Sequence, residues 1–519
     1  MLFNTMQYLL FLLLIVLIYY ILPKKVRYLW LLGASYYFYM QWSPIYILLL
    51  FFCTVITYVG GLFLQELQNT KDVVTGKSKE CTQGKKQLCL FICIFLELGV
   101  LFYFKYFEFG ISLINRVLGQ FELKTISVSY DVLLPVGISF YTLQTIGYLI
   151  DVYYENIYAE RNFFRYALFV SFFPQLVAGP IERSKNLLMQ LHKSYPFTWE
   201  NCKKGCLLIT YGMFLKVVIA DRMAILVDEV YGNASAYQGW YIVVATCFFA
   251  IQIYCDFYGY TTIARGSALL MGIHLVDNFQ APYLSRSIKE FWRRWHISLS
   301  GWFRDYLYIP LGGNRRGKMR KEENLLVVFG ISGLWHGASL SFCAWGLLHG
   351  LYQIGSDIFT EIRCYIEKYL PGGGIEKQRK TEEGREKERK TDFATQLVQV
   401  VANFMLVTFA WLFFRSGSFS NALNLLKSMT ETNNWRILFD GSLQNLGVTS
   451  IYFRVLEISI IVLFTVDYFK YKDIDVADAV LRQKWWFQAG IILIMWFVIL
   501  LYGCYGELYD AQQFIYFQF

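Results

Sequence analysis

Long apolar runs broken by short polar interruptions fill almost the whole chain, and their spacing predicts a bundle of membrane-crossing helices. The first run, Met6 to Leu22, has no basic residues ahead of it and leads into Lys24, Lys25 and Arg27. That is the reverse of a cleavable signal, so the run is read as an uncleaved first span whose far end faces the cytoplasm. Tyr28–Met40 and Ile45–Gln65 then form an out-and-back pair, returning to a basic, cytoplasmic stretch from Lys71 to Lys86. Further apolar stretches lie at Leu88–Tyr106, Val132–Ile150, Gly205–Ile219, Tyr241–Ile263, Leu325–Leu340, Phe342–Ile358, Phe393–Phe414, Ile451–Phe469 and Trp486–Gly503. Several fall short of the roughly 20 residues that cross a bilayer. Phe163–Val177, with Pro174 inside it and Gly179-Pro180 after it, reads as re-entrant. Such broken backbone is tolerated only inside protein or along a cavity. The expectation is an all-α integral membrane protein of about 11–13 transmembrane or re-entrant helices with short amphipathic interfacial helices, both termini extracytoplasmic.

Composition narrows the class. Of 519 residues, 56% are hydrophobic and 17% charged, against about 45–50% and about 25% in soluble domains. Mean hydropathy is +0.38. Only nine prolines are present, and with this apolar content they rule out collagenous and disordered chains. The net charge of +9 is what cytoplasmic loops of a membrane protein produce, so no nucleic-acid partner is expected. Cys202 and Cys206 stand four apart, but no histidine or second cysteine pair completes a zinc pattern, and no metal site is expected. Pro371-Gly372-Gly373-Gly374 and the mixed charges from Glu376 to Asp392 read as a solvated cytoplasmic linker.

Chemistry is confined to few places. There are five histidines. His336 stands in Gly333-Leu334-Trp335-His336-Gly337, inside an apolar segment, where an ionisable group suggests function. The bland alternative is a core imidazole bonded to a backbone carbonyl. His296 lies in Phe291-Trp292-Arg293-Arg294-Trp295-His296-Ile297-Ser298. As one helix, this segment would put Trp292, Trp295 and Leu299 on a single face, an interfacial helix with aromatic and basic anchors. His349 reads as packing, and His192 and His274 have no distinctive context. No H-E-x-x-H, G-x-S-x-G, P-loop or dinucleotide fingerprint occurs. Glu97 and Asp256 lie within apolar runs, which keeps a proton-coupled transporter open as a reading. From Arg304 to Arg316 the chain is polar, and Pro310 followed by Gly312-Gly313-Asn314 forces a turn. Arginines flanking that turn suit an anionic donor such as a nucleotide or phosphopantetheine phosphate.

The stretch from Trp292 to His349, with Trp295-His296, Arg304-Asp305-Tyr306-Leu307-Tyr308-Ile309-Pro310-Leu311-Gly312-Gly313-Asn314 and Gly333-Leu334-Trp335-His336-Gly337, closely resembles the membrane-bound O-acyltransferase family. It looks most like the bacterial alginate O-acetyltransferase branch, a relative of the membrane protein of teichoic-acid D-alanyl transfer. Leu134–Phe140, Phe173–Ile181, Trp411–Arg415 and Phe514–Phe519 extend the likeness over most of the chain. The resemblance implies helices around a central pore, with His336 catalytic and His296 at the family's other histidine position, near the cytoplasmic mouth. It further implies transfer of an acyl group, expected to be acetyl, from a cytoplasmic thioester (acetyl-CoA or an acyl carrier protein) for O-acylation of an extracellular polysaccharide. A separate extracytoplasmic acyltransferase or esterase-like partner often takes part, and no resident cofactor is expected.

Such chemistry needs a base for the acceptor hydroxyl, which imidazole supplies, and donors for the tetrahedral oxyanion. Trp335 and Asn314 are the candidates for the latter, and Arg304, Asp305 and Asp256 complete the expected substrate-binding set. The chain departs from the branch after Asp256: Tyr258, Thr261-Thr262 and Arg265 replace the usual Ser, Ser-Asp and small apolar residue. The branch's second carboxylate is therefore missing, and Arg265 would alter donor fit. The organisation expected is 1–130 N-terminal transmembrane helices, 131–360 catalytic core, 361–392 charged cytoplasmic loop and 393–519 C-terminal helices. Alternatives are D-alanyl transfer to teichoic acids from a carrier protein, which length and the Phe413-Phe414-Arg415 motif disfavour, and the transporter.

Overall fold

The computed structural model describes residues 1–69, 77–127, 134–177, 179–369, 393–505 and 515. The expected charged linker, and Phe514–Phe519 apart from Ile515, lie outside the described residues. The described chain is helical, without strands. Its first helices are α1 Met6–Ile21, α2 Arg27–Met40, α3 Tyr46–Asn69 and α4 Lys77–Leu101. A π-helical turn at Phe102–Tyr106 carries α4 straight into α5, Phe107–Gln120, so this rod runs well past the expected end at Tyr106. Then come α6 Ile138–Tyr153, α7 Phe163–Ser171, α8 Phe173–Leu176, α9 Ser184–Leu191 and α10 Trp199–Met213. A second π turn, Phe214–Ala220, joins α10 to α11, Asp221–Gly232, and α12 spans Trp240–Leu269. The short α13 Ile288–Arg294 and α14 Ile297–Phe303 precede a third π turn at Arg304–Tyr308 and the paired α15 Lys318–His336 and α16 Leu340–Tyr369. The remainder is α17 Phe393–Arg415, α18 Phe419–Glu431, α19 Ser450–Tyr471, α20 Val476–Leu481 and α21 Trp485–Tyr502.

Among the described residues, five continuous helices are long and apolar enough to cross a membrane: Tyr46–Asn69, Thr82–Gln120, Trp240–Leu269, Phe393–Arg415 and Trp485–Tyr502. They do so in different surroundings. The spanning window of α12 is 78% buried and that of α21 only 6%. An apolar helix of the first kind is solvated by protein, one of the second by lipid. α12 is therefore the axis around which the core is built, packed on α10, α11, α17 and α18.

Close approach of backbones sets this core. Gly205 and Gly212 of α10 face Gly266 and Gly259 of α12, where a Cβ on Gly259 would stand 2.8 Å from the Gly212 carbonyl oxygen. α15 and α16 meet in the same way: a Cβ on Gly333 would stand 3.0 Å from the Phe342 carbonyl carbon, and one on Gly346 3.1 Å from that of Phe329. Small residues at such seams let dispersion and backbone contact act where lipid leaves little hydrophobic driving force.

The segment expected to be re-entrant is broken at Phe172, between α7 and α8, and is buried from Tyr166 to Val177. Polar side chains from α2, α6 and the segment's own α8 meet its freed backbone groups. Gln144 and Gln175 both donate to the Phe169 carbonyl (2.7 and 2.8 Å), and the Phe173 N–H donates to Ser35 Oγ (3.1 Å). This is how broken backbone survives where water is scarce.

Candidate active site

His336 closes α15, and its ring packs edge-on against Trp345 of α16 (centroids 5.0 Å), Phe414 of α17 (5.5 Å) and its own neighbour Trp335 (4.9 Å). Opposite stands His296, its ring centroid 6.4 Å from that of His336 and 4.6 Å from that of Phe257 on α12. Phe140 of α6 closes the box, 6.4 Å from His296 and 5.3 Å from Trp335. Both imidazoles are buried, His296 at 0% and His336 at 4% exposure. Two buried imidazoles in an aromatic enclosure are suited to general acid–base work on a group brought to them.

His296 reaches this place through a break that its sequence does not announce. The expected single amphipathic helix is instead two, α13 and α14, with Trp295 extended and His296 left-handed at φ 44°. Residues 278–280 hold the break open. Ile297 N–H donates to the Asn278 carbonyl (3.0 Å), Ser298 N–H to Asn278 Oδ1 (3.1 Å), and Gln280 N–H to the Arg294 carbonyl (3.0 Å). A non-glycine residue in this conformation costs about 1–3 kcal/mol and persists only where surroundings over-determine it. In consequence Trp295 is buried among Phe279, Tyr283 and Trp411 rather than anchored at an interface.

A side chain that the sequence reading passed over lies next to His336. Lys105, in the π turn between α4 and α5, donates from Nζ to the carbonyls of Trp335 (2.7 Å) and His336 (3.2 Å), with Ser139 Oγ at 3.4 Å. Its neighbour Tyr106 donates to the Leu334 carbonyl (2.9 Å). These bonds occupy the carbonyls that a helix leaves without partners at its C-terminal end. Lys105, Pro135, Ser139, Phe140, Trp335 and His336 wall a cavity of about 40 Å³. The available signal was a cation among rings in Phe102-Tyr103-Phe104-Lys105-Tyr106-Phe107, which reads as the end of a span until the helix is seen to continue.

The other candidates are not gathered here. Trp335 adjoins His336, but its indole N–H donates to the Ser139 carbonyl (3.3 Å). Asn314 is exposed, and its neighbour Gly313 accepts from Asn324 Nδ2 (3.0 Å), twelve residues before His336 on α15, which places it about 18 Å from His336 along that helix. It cannot serve an oxyanion formed at the imidazole. Arg304 and Asp305 sit in the third π turn, where Arg304 Nε meets Asp305 Oδ1 at 2.8 Å and Arg183 reaches Oδ2 at 3.0 Å. Arg183 also lies over the Tyr306 ring (4.3 Å), and its neighbour Ser184 bonds Asp151 at the far end of α6 (3.0 Å). Ser139 and Asp151 are twelve residues apart on α6, so this basic cluster lies about 18 Å along that helix from the cavity.

Asp256 is committed elsewhere. Lys216 bridges it (2.5 Å) to Asp221 (2.8 Å), and its second oxygen accepts the Ile515 N–H (2.8 Å). Arg265 pairs with Asp277 (3.1 Å), which also holds Lys470 (2.7 Å), on the wall of a cleft of about 850 Å³ between α10, α19 and α21. Glu97 accepts from Thr145 (3.3 Å). His349 is buried, its Nδ1 accepting from Trp292 (3.3 Å). His192 bonds Glu160 (2.5 Å), and His274 is exposed.

Comparison with known proteins adds two findings. Residues 155–364 match the model of the membrane-bound O-acyltransferase family. Over 423 residues, 81% of this chain and 73% of the relative, the sequence is 34% identical to the probable alginate O-acetylase AlgI of Pseudomonas aeruginosa. It is 32% identical to the peptidoglycan O-acetyltransferase of Helicobacter pylori over 78% of this chain and 74% of that one. It is 27% identical to the teichoic acid D-alanyltransferase of Bacillus subtilis, over 44% and 60% respectively.

Proposed function

The chain thus belongs to the membrane-bound O-acyltransferase family and is a membrane acyltransferase, and we propose that it passes an acetyl group from a cytoplasmic thioester to a hydroxyl on the other side, for O-acetylation of an extracellular polysaccharide. The donor is acetyl-CoA or an acetyl-loaded carrier protein, its phosphates held by Arg183 and Arg304. The acceptor hydroxyl belongs to the polymer or to an extracytoplasmic esterase-like partner that relays the acetyl group.

The observation that carries this reading is the buried pair His296 and His336, 6.4 Å apart between centroids, in an aromatic enclosure. In the proposed reaction His336 takes the proton of the hydroxyl as its oxygen attacks the thioester carbon. The carbonyl π pair moves to oxygen; when the intermediate collapses, the C–S bond breaks and His336 returns the proton to sulfur. His296, held by its backbone break, orients the hydroxyl and steadies the charge on His336. Acetyl is favoured over D-alanyl because the O-acetyltransferase relatives align over 78–81% of this chain and the D-alanyl relative over 44%.

The test uses membranes carrying the full chain or His336→Gln, with labelled acetyl-CoA, an acetyl-loaded carrier and a D-alanyl-loaded carrier in separate arms. The expected result is consumption of an acetyl thioester by the wild type and none by the variant at equal protein level. Turnover retained in His336→Gln removes the catalytic assignment; consumption of the D-alanyl carrier alone replaces the acetyl group.

A further inference from the structure

Resting on that reading, we infer that Lys105 is a catalytic residue, the hydrogen-bond donor to the oxyanion of the acyl transfer. The inference begins from a pair of neighbours with the same apparent task. Lys105 and Tyr106 both donate to the last carbonyls of the helix that ends in His336, at 2.7 and 3.2 Å for the ammonium and 2.9 Å for the phenol. A phenol does this without charge. An ammonium beside an apolar enclosure costs several kcal/mol unless something opposes its charge, yet among the described residues no carboxylate pairs with Lys105. The negative end of α15 and the capping bonds offset part of that charge, but they leave the third ammonium proton without a good acceptor.

The cavity accounts for that proton. Lys105 is on the wall of the space that His336 and Ser139 also line, and Tyr106 is not. Two of its three protons are used well. The third points to Ser139 Oγ at 3.4 Å, a distance at which a hydrogen bond is weak and readily given up for a better acceptor. An anionic oxygen is such an acceptor, since charge-assisted bonds are about twice as strong as neutral ones. A space of about 40 Å³ has room for about three water-sized groups, the size of an acetyl group and too small for a long acyl chain.

As the hydroxyl oxygen bonds to the thioester carbon, the carbonyl π pair passes to its oxygen, and Lys105 turns its third N–H from Ser139 to that oxygen. No proton moves to or from Lys105. When the pair returns, the C–S bond breaks, sulfur takes its proton from His336 and Lys105 swings back to Ser139. The two arriving carbonyls keep the ammonium in place throughout, so the donor is positioned before charge develops.

The experiment measures kcat and KM for the acetyl thioester, together with thermal unfolding of the purified chain, in Lys105→Met, Lys105→Arg, Tyr106→Phe and His336→Gln. Lys105→Met is expected to lower kcat about 10²–10³-fold, the usual loss of an oxyanion donor, with KM within about twofold. Lys105→Arg keeps the charge and the cap but displaces the donor, and is expected to assemble normally and lose about tenfold in kcat. Tyr106→Phe, the control for capping, is expected to turn over at nearly the wild-type rate. Full kcat in Lys105→Met or in Lys105→Arg overturns the inference, as do equal losses in Lys105→Met and Tyr106→Phe. Should Lys105→Met fail to accumulate, the arginine variant decides. Activity surviving in His336→Gln would instead remove the reading of the reaction on which this one rests.

Discussion

Two polar clusters are buried within a helical turn of each other on α12, and they are built on opposite plans. Around Asp256 the charges are saturated: Lys216 lies between Asp221 and Asp256, and the free carboxylate oxygen takes the Ile515 amide. Around Phe257, the next residue, stand aromatic rings and two imidazoles. The first cluster joins the second π turn, α11, α12 and residue 515, and its groups have no capacity left for a substrate. The second brings together two imidazoles, groups of a kind that can take up and give back a proton near neutral pH. A buried charge in a membrane chain can thus belong to a closed structural cluster, and its burial alone is a weak sign of catalysis.

The contrast is open to attack in order of effect. His336→Gln should lower kcat by about 10³-fold or more while the unfolding midpoint stays within a degree or two of wild type; a large stability loss would make this histidine structural as well. Asp256→Ala should do the reverse. With Lys216 left beside a single partner, the fold should lose about 3–5 kcal/mol, read by thermal unfolding in detergent, while the assembled fraction turns over normally. Replacing the whole triad with Lys216→Met, Asp221→Leu and Asp256→Leu should recover part of that loss, because no charge is left unpaired while the Ile515 N–H still loses its acceptor. If Asp256→Ala instead lost turnover at full stability, the distinction between the clusters would collapse. Next in size, His296→Gln should lower kcat about 10²-fold, with a changed pH profile if it steadies the charge on His336. Smallest is Arg183→Gln, which breaks a partly exposed pair and should cost about 0–1 kcal/mol of stability. Its signature should be a KM for the thioester several-fold higher, measured with acetyl-CoA at low and high salt.

Most of the fold could be read from apolar spacing because each span satisfies its own backbone and needs only length and hydrophobicity. Tyr28–Met40 became Arg27–Met40, and Trp486–Gly503 became Trp485–Tyr502. What escaped was set by contacts distant in sequence. The break at His296 exists because residues 278–280 supply its hydrogen bonds, and no local signal in Trp295-His296-Ile297 demands it. All three π turns carry polar residues of consequence, Lys105, Lys216 and Arg304-Asp305. Each extra residue rotates the faces that a 3.6-residue period assigns, so Lys105 and Lys216, which appear to end a span or face lipid, turn toward protein, while Arg304 stays exposed. Asn314 was misplaced for a simpler reason: proximity to His336 in a motif-rich stretch conceals the twelve residues of helix between that histidine and Asn324, to which its loop is bonded.

The glycine contacts between α15 and α16 bear on the bilayer itself. Gly333 and Gly346 bring two backbones together so closely that neither helix can slide along the other without collision, and His336 is the residue at which α15 ends. Its position along α16 is consequently fixed by the register of the two helices. When acyl chains shorten or lengthen, mismatch costs fractions of a kcal/mol per Å and is relieved by tilt. That adjustment falls to lipid-facing helices such as α21, whose spanning window is only 6% buried. The His336 end of α15 thus keeps its level relative to α16 when the membrane changes thickness.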